Sequence, residues 1–381
     1  MKKIAVITGT RAEYGIFKSV LNEIEAKAGL RLSLIVIGMH LSLEFGHTVD
    51  EIERDGFKIA AKIAVLHGED TKASMAKSIG ECLTKAAEAL KLIKPDILLV
   101  LGDRSEMLVG AVAATYMGIA IAHIHGGEIS GNVDEPVRHA ITKLAHIHFP
   151  ATQESAERII RMGEESWRVH VVGAPGLDLI LNERILGSKK VAAKYGLEVS
   201  KPVLLVLQHS VVTEADQASD QIRETLEAVK ELKHQAVLIY PNADAGGRRM
   251  IRVIKEYEKY PFVKTFKSVP HEEYLGLMRL ASVMVGNSSS GIIEAPSFGL
   301  PVVNIGTRQK GRQRAGNVID VDYDRKKIVE AVKKALYNRE FREKVKHCRN
   351  PYGDGKAGKR IAEVLNEIEL GKKFLEKRMT Y

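Results

Sequence analysis

The chain has 381 residues, 45% of them apolar and 28% charged. At about 150 residues per domain this length predicts two domains, and the composition excludes a disordered chain or a small scaffold in need of staples. The 57 Lys and Arg exceed the 48 Asp and Glu by nine, and residues 325–381 alone supply that excess. Opposite charges mixed along one terminal helical stretch mark a solvated face, not a basic stripe interleaved with aromatics, so no nucleic-acid partner is expected.

In chain order, strands are expected at Lys3–Thr8, Leu32–Ile37, Asp96–Leu101, Ile119–His123 and Val169–Val172. Further strands follow at Val203–Leu207, Ala236–Tyr240, Val263–Phe266, Val283–Val285 and Val302–Ile305. Most are near-continuous apolar runs, which suits parallel strands buried on both faces. Between them lie amphipathic helices. In Tyr14–Lys27, for example, Phe17, Val20, Leu21 and Ile24 share one face. This alternation predicts an α/β protein with doubly wound parallel sheets. A boundary falls at Gly173-Ala174-Pro175-Gly176, and a last helix is expected at about Lys359–Phe374. That boundary divides the chain into two α/β units of comparable size, and the last helix could pack on either.

No apolar run is long enough to span a bilayer, and Ile4–Ile7 is too short for the core of a leader. Cys82 and Cys348 can build no disulfide framework and sit at no metal-ligand spacing. A cytoplasmic location, no membrane partner and no metal are the expectations.

Ligands of open α/β sheets bind beyond the carboxyl ends of the strands. There, Gly9-Thr10-Arg11-Ala12-Glu13-Tyr14-Gly15 opens the first helix and sets Arg11 where helix amides already favour an anion. It is neither a dinucleotide fingerprint nor a Walker loop. Gly102-Asp103-Arg104-Ser105-Glu106 places a carboxylate and a guanidinium at a strand mouth. Asp103 there could equally cap the next helix. His123-Ile124-His125-Gly126-Gly127-Glu128 runs on to Asp134-Glu135-Pro136-Val137-Arg138-His139. Histidines and carboxylates gathered on a glycine-bare loop are what acid–base chemistry requires, although Pro136 allows Asp134 or Glu135 to be only a cap.

In the second unit, strands end in Gln208-His209-Ser210, in Pro241-Asn242-Ala243-Asp244 and in Gly286-Asn287-Ser288-Ser289-Ser290-Gly291. Small residues ahead of a helix make a phosphate cradle, and Glu294 follows at ribose distance. Two facing α/β units with a diphosphate cradle point to a nucleotide-sugar enzyme.

At these residues the chain resembles the hydrolysing UDP-N-acetylglucosamine 2-epimerases of sialic-acid biosynthesis. The order GTRAEYG, GDRSE, HIHGGE, DEPVRHAITK, QHS, NAD, GNSSSG and GTRQKGR carries the resemblance over nearly the whole chain. It implies the GT-B fold with UDP held between two Rossmann-like domains, 1–173 plus 358–381 for one and 174–357 for the other. It also implies conversion of UDP-GlcNAc and water to ManNAc and UDP, with no cofactor, metal or nicotinamide. By position, Asp103, Asp134 and His209 match the acid–base groups, and His125 joins them as a catalytic candidate that stands where some members carry a catalytic Glu. Arg11, Arg104, Ser288, Ser289, Glu294 and Arg308 match UDP-binding groups; Asn242 matches a contact of the sugar-nucleotide pocket, and Val269 a backbone contact to uracil. The base at C2 is left among Asp134, placed first, Asp103 and His125. Some members carry Glu where His125 stands, Ala12 replaces the Pro of the non-hydrolysing branch, and Gly15 replaces a Ser of the animal enzymes. The resemblance also implies a homodimer or homotetramer. Rival readings are the same reaction on UDP-2,4-diacetamido-2,4,6-trideoxyglucose, a GT-B glycosyltransferase, and a non-catalytic nucleotide-sugar sensor.

Overall fold

A computed structural model of the chain describes residues 1–65, 71–130, 133–182 and 185–380. It contains two six-stranded parallel sheets. The first comprises β1 (Lys2–Thr8), β2 (Leu30–Ile37), β3 (Ile59–Ile63), β4 (Ile97–Leu101), β5 (Ala120–Ile124) and β6 (Ile147–Phe149). The second comprises β7 (Val203–Leu207), β8 (Gln235–Ile239), β9 (Val263–Phe266), β10 (Val283–Gly286), β11 (Val302–Ile305) and β12 (Val318–Val321).

The sheet orders are β3-β2-β1-β4-β5-β6 and β12-β11-β10-β7-β8-β9. Each therefore reverses direction once, between β1 and β4 in the first sheet and between β7 and β10 in the second. Such a switch point leaves a crevice beyond the strand ends. Successive strand residues point to opposite faces, and here both faces are covered. Ile4 and Val6 of β1 join one core while Ala5 and Ile7 join another. In β7, Leu204 and Val206 divide in the same way from Leu205 and Leu207.

Three strands escape the sequence reading. β3, β6 and β12 are short, and β3 and β12 are half-exposed edges without an unbroken apolar run. One expected strand is absent. Val169–Val172 runs beside β6 and donates His170 N–H to His148 O at 2.9 Å and Val172 N–H to Pro150 O at 3.1 Å. Pro150 has no N–H to return, so only an isolated bridge to Val169 forms.

The last expected helix divides in two, Ala357–Glu367 and a single turn at Lys372–Leu375. Ile361, Ala362 and Leu365 pack with Phe17, Val20 and Leu21 of the first helix, Arg11–Ala26, in a core of the first sheet. The chain thus leaves the first unit after Val172 and returns to it after Tyr352. The two crossings touch, Ala174 N–H donating to Tyr352 O at 2.7 Å. Gly173 and Gly353, with φ of 93° and 124°, meet there.

Candidate active site

The two switch points face each other. Loops after β1, β4 and β5 form one wall of a cavity, and loops after β7, β8 and β10 form the other. Eleven residues singled out from the sequence line it: Arg11, Asp103, Arg104, His125, Asp134, His209, Asn242, Ser288, Ser289, Glu294 and Arg308. Val269 does not; its side chain is buried in the second sheet's core, and its neighbour Ser268 reaches the cavity instead. Gly131 and Asn132 of the third loop lie outside the described residues.

On the first wall, Thr10 and Glu13 form a capping box that starts the Arg11–Ala26 helix. The Glu13 Oε2 accepts from Gly9 N–H and Thr10 N–H at 2.9 and 3.0 Å. Burial pushes the Glu13 carboxyl up to about 8, against the pull of Arg104. Arg11 lies 5.1 Å over the ring of Tyr274 and makes no ion pair among the described residues. Arg104 is already committed, to Glu106 and Asp244 at 3.3 Å each and to Glu13 at 3.9 Å. It bridges the two units more than it awaits a phosphate.

Asp103 follows Gly102 at the end of β4 and is ion-paired with Arg138. Burial opposes the charge on Asp103, but Arg138, Arg312 and Arg308 outweigh it and hold the carboxyl below its ordinary value. The partner Arg138 is fully buried and also donates to Glu128 O at 2.7 Å. Asp134 is the first residue of the helix Asp134–Leu144 and does not cap it. Its carboxylate faces Arg308 of the second unit at 3.4 Å. Glu135 instead pins the loop, accepting from Ser130 N–H at 2.7 Å.

His125 ends β5 with a φ of 61°. A left-handed backbone at a non-glycine residue costs about 1–3 kcal/mol and concentrates at functional positions. Its Nδ1 lies 2.5 Å from Glu128 Oε1, and Glu128 is paired in turn with Arg312. Although burial resists it, Arg312 and His125 hold Glu128 ionised, far below the usual carboxylate range. An ionised Glu128 only accepts, so His125 turns an Nδ1–H toward it and its Nε2 away from it.

His209, at the end of β7, has the opposite arrangement. Asn242 N–H donates to its Nδ1 at 3.2 Å, so the ring proton sits on Nε2. Burial, with Arg308, Arg104 and Arg11 nearby, pushes this imidazole well below its ordinary value and keeps it neutral. Asn287 fixes its backbone by a reciprocal pair, His209 N–H to Oδ1 at 2.7 Å and Nδ2 to His209 O at 2.9 Å. His123, by contrast, is a core residue: its ring donates to Gly102 O at 2.7 Å from a fully buried position.

Gly286, with a φ of 130°, leaves no room for a Cβ against Leu207 O, so the serine loop can turn close over β7. The helix it opens, Ser290–Ile293, is one turn long. The cradle therefore consists of serine hydroxyls and first-turn amides, without a long helix's dipole. Glu294 follows directly, and burial pushes its carboxyl up to about 7. Its Oε2 and the Tyr274 hydroxyl are buried without a hydrogen-bond partner. Among the described residues no cluster of His, Cys, Asp and Glu is arranged to hold a metal ion, and no helix is long and apolar enough to cross a membrane.

Residues 22–366 match the sequence profile of the family described as UDP-N-acetylglucosamine 2-epimerase. The chain belongs to that family. A UDP-N,N'-diacetylbacillosamine 2-epimerase (hydrolyzing) of Legionella pneumophila is 42% identical over 381 residues, all of both chains. A UDP-N-acetylglucosamine 2-epimerase of Neisseria meningitidis serogroup B is 34% identical, over 99% of this chain and 98% of the relative. The structure of a Neisseria meningitidis UDP-GlcNAc 2-epimerase bound to UDP-GlcNAc superposes with a TM-score of 0.80 at 20% identity, covering 96% and 100% of the two chains. The S. aureus MnaA–UDP structure gives 0.79 at 21% identity, covering 97% and 98%. These likenesses establish the two-domain GT-B fold.

Three residues of this cavity region, Glu128, Arg138 and Arg312, stand in the motifs read from the sequence but carry no role in that reading. Arg138 stands four residues after Asp134, one helical turn along the same face, a spacing that could have exposed it. The pairing of Arg312 with Glu128 spans 184 positions and had no local signal.

Proposed function

We propose that this chain is a hydrolysing UDP-GlcNAc 2-epimerase, converting UDP-GlcNAc and water to ManNAc and UDP. In this reading residues 1–173 with 358–381 form the acid–base unit and residues 174–357 the UDP unit. A UDP-sugar is the partner, and assembly follows the family as a homodimer or homotetramer.

The supporting observation is the pair of imidazoles on facing walls, His125 with Nδ1 turned to the Glu128 carboxylate and His209 with Nδ1 turned to Asn242 N–H, so that each leaves Nε2 for the substrate. A C2–H beside no carbonyl is barely acidic, so elimination needs a placed base and a stabilised leaving group. His125 Nε2 takes the C2 proton; the C–H electrons form the C1–C2 double bond, and the C1–O electrons leave with UDP. Arg11, Arg308, Ser288 and Ser289 receive the diphosphate, and the neutral His209 donates Nε2–H to it. Glu294 accepts from the ribose. Water then adds oxygen to C1, and a proton returns to C2 from the opposite face.

This reorders the expectation that put Asp134 first. Asp134 faces Arg308 and Asp103 is held by Arg138, and a paired carboxylate is the weaker base. His125 has an ionised orienting partner and leaves Nε2 for the substrate. The 42% identity to the Legionella relative, against 34% to the Neisseria one, favours a second reading: the same chemistry on the UDP-diacetamido-trideoxy sugar.

A UDP-release assay in deuterated water, run on both sugars with proton NMR of the product, tests the proposal. The expected result is UDP with a C2-deuterated manno sugar. UDP binding without release from either sugar would sink it and leave the glycosyltransferase reading.

A further inference from the structure

Beyond the Ala357–Glu367 helix the carboxyl-terminal residues run back over the first unit, far from the cavity. Phe374 is buried, and its carbonyl accepts from the fully buried Arg168 at 2.8 Å. Arg168 donates also to His146 O at 3.0 Å and packs 4.2 Å from the Trp167 ring and 5.6 Å from the Phe374 ring. Three residues on, Lys377 Nζ donates to Thr142 O, Lys143 O and Ala145 O at 3.2, 2.6 and 2.8 Å.

Those carbonyls close the helix Asp134–Leu144, where a helix leaves its last acceptors unsatisfied and its dipole negative. The same ammonium lies 2.8 Å from Glu164, a fully buried carboxylate that Lys143 and His148 also hold at 2.6 and 3.1 Å. The tail is therefore anchored twice, at Arg168 and at the helix end. The opposite end of that helix carries Asp134 in its first turn and Arg138 one turn later, the residue that pairs with Asp103. Eleven residues at about 1.5 Å each make a rod of roughly 16 Å, stiff enough for a displacement at one end to be felt at the other.

We propose that Lys377 is a positioning residue for the reaction: by holding the carboxyl end of the Asp134–Leu144 helix, it fixes where Arg138 stands against Asp103 and against the backbone of Glu128, the partner of His125. The inference rests on the 2-epimerase reading for its kinetic consequence, but not for its structural one. Arg138 donates to Glu128 O, Ser130 Oγ and Asp103, all on the first wall, so the tail acting through Arg138 bears on the chemical step and not on nucleotide affinity.

The test uses full-length Lys377→Gln, Arg168→Gln and their double variant, with Lys373→Gln as control, since that exposed side chain lies on the same tail. Expected for Lys377→Gln is a kcat lower by about ten-fold or more, with UDP affinity within about two-fold, because small misplacements of catalytic groups act on the chemical step. Arg168→Gln should give the same split, the double variant should fall no further than the worse single one, and Lys373→Gln should match the unmodified chain. An unchanged kcat in Lys377→Gln, or kcat and UDP affinity falling together, would overturn the proposal, as would single effects that multiply. Hydrogen exchange decides the matter independently of turnover: the amides of Val137, Arg138 and His139 should exchange faster in Lys377→Gln. Acceleration confined to Thr142–Leu144 would overturn it even if the unmodified chain released no UDP.

Discussion

The two walls of the cavity share one topology and differ in what their loops carry. The first wall is dense in charges locked against each other: Asp103 with Arg138, Arg104 with Glu106, and Glu128 with Arg312 from the other unit. The second presents Asn242, three serines and a neutral His209, beside Lys267, Glu294, Arg308 and Arg312. Interlocked charges hold their geometry before substrate arrives, which suits proton transfer, whereas hydroxyls and amides can receive an anion without first breaking an ion pair. In the proposed mechanism the first wall carries the base and the second most of the groups that receive UDP.

The sharpest way to break this contrast is His125→Asn, which removes the imidazole proposed to take the C2 proton. We expect kcat to fall about a thousand-fold with UDP affinity within about three-fold, measured by UDP release and by calorimetry. Equal losses in both would erase the division between the walls.

Glu294 sharpens the contrast from the other side. Burial raises its carboxyl from an ordinary 4.5 to about 7, so the folded chain favours its neutral form. The stability this supplies is complete below the unfolded value and is lost as pH rises through about 7. Unliganded Glu294→Gln should therefore gain melting temperature over the unmodified chain above about pH 7, and not at about pH 5. Ribose hydroxyls should meet a better acceptor as the carboxylate forms. Uridine affinity should tighten with pH in the unmodified chain, be about ten-fold weaker in Glu294→Gln at about pH 8, and be flat with pH in that variant.

A smaller effect is expected where the walls touch. A Cβ at Gly15 meets the His271 ring, whose two nitrogens are buried without partners. Gly15→Ser should cost about 1–3 kcal/mol in denaturant unfolding, and His271→Ala in the same chain should restore most of it. The smallest belongs to the cross-unit pair Glu44–Arg248, at 2.8 Å with side chains 46% and 19% exposed. Arg248→Met should cost under about 1 kcal/mol and leave turnover unchanged.

How much of this was legible depended on burial. β1, β4, β5, β7 and β10 are covered on both faces, so they read as apolar runs and their ends exposed the loops that carry chemistry. The edge strands Ile59–Ile63 and Val318–Val321 alternate or mix with polar residues and were silent. Within the site, residue types at strand mouths could be named, but their partners could not. Nothing near His125 in the sequence says that Glu128, three residues on, turns back to its ring under the hold of an arginine at position 312. Similarly, Arg104 reads as a free cation until Asp244 arrives from the other unit.

The two chain crossings at Gly173 and Gly353 touch each other, tied by Ala174 and Tyr352. Two covalent ties at one place act as a hinge pin. Opening about that pin would part Arg308 from Asp134 and Arg104 from Asp244 together.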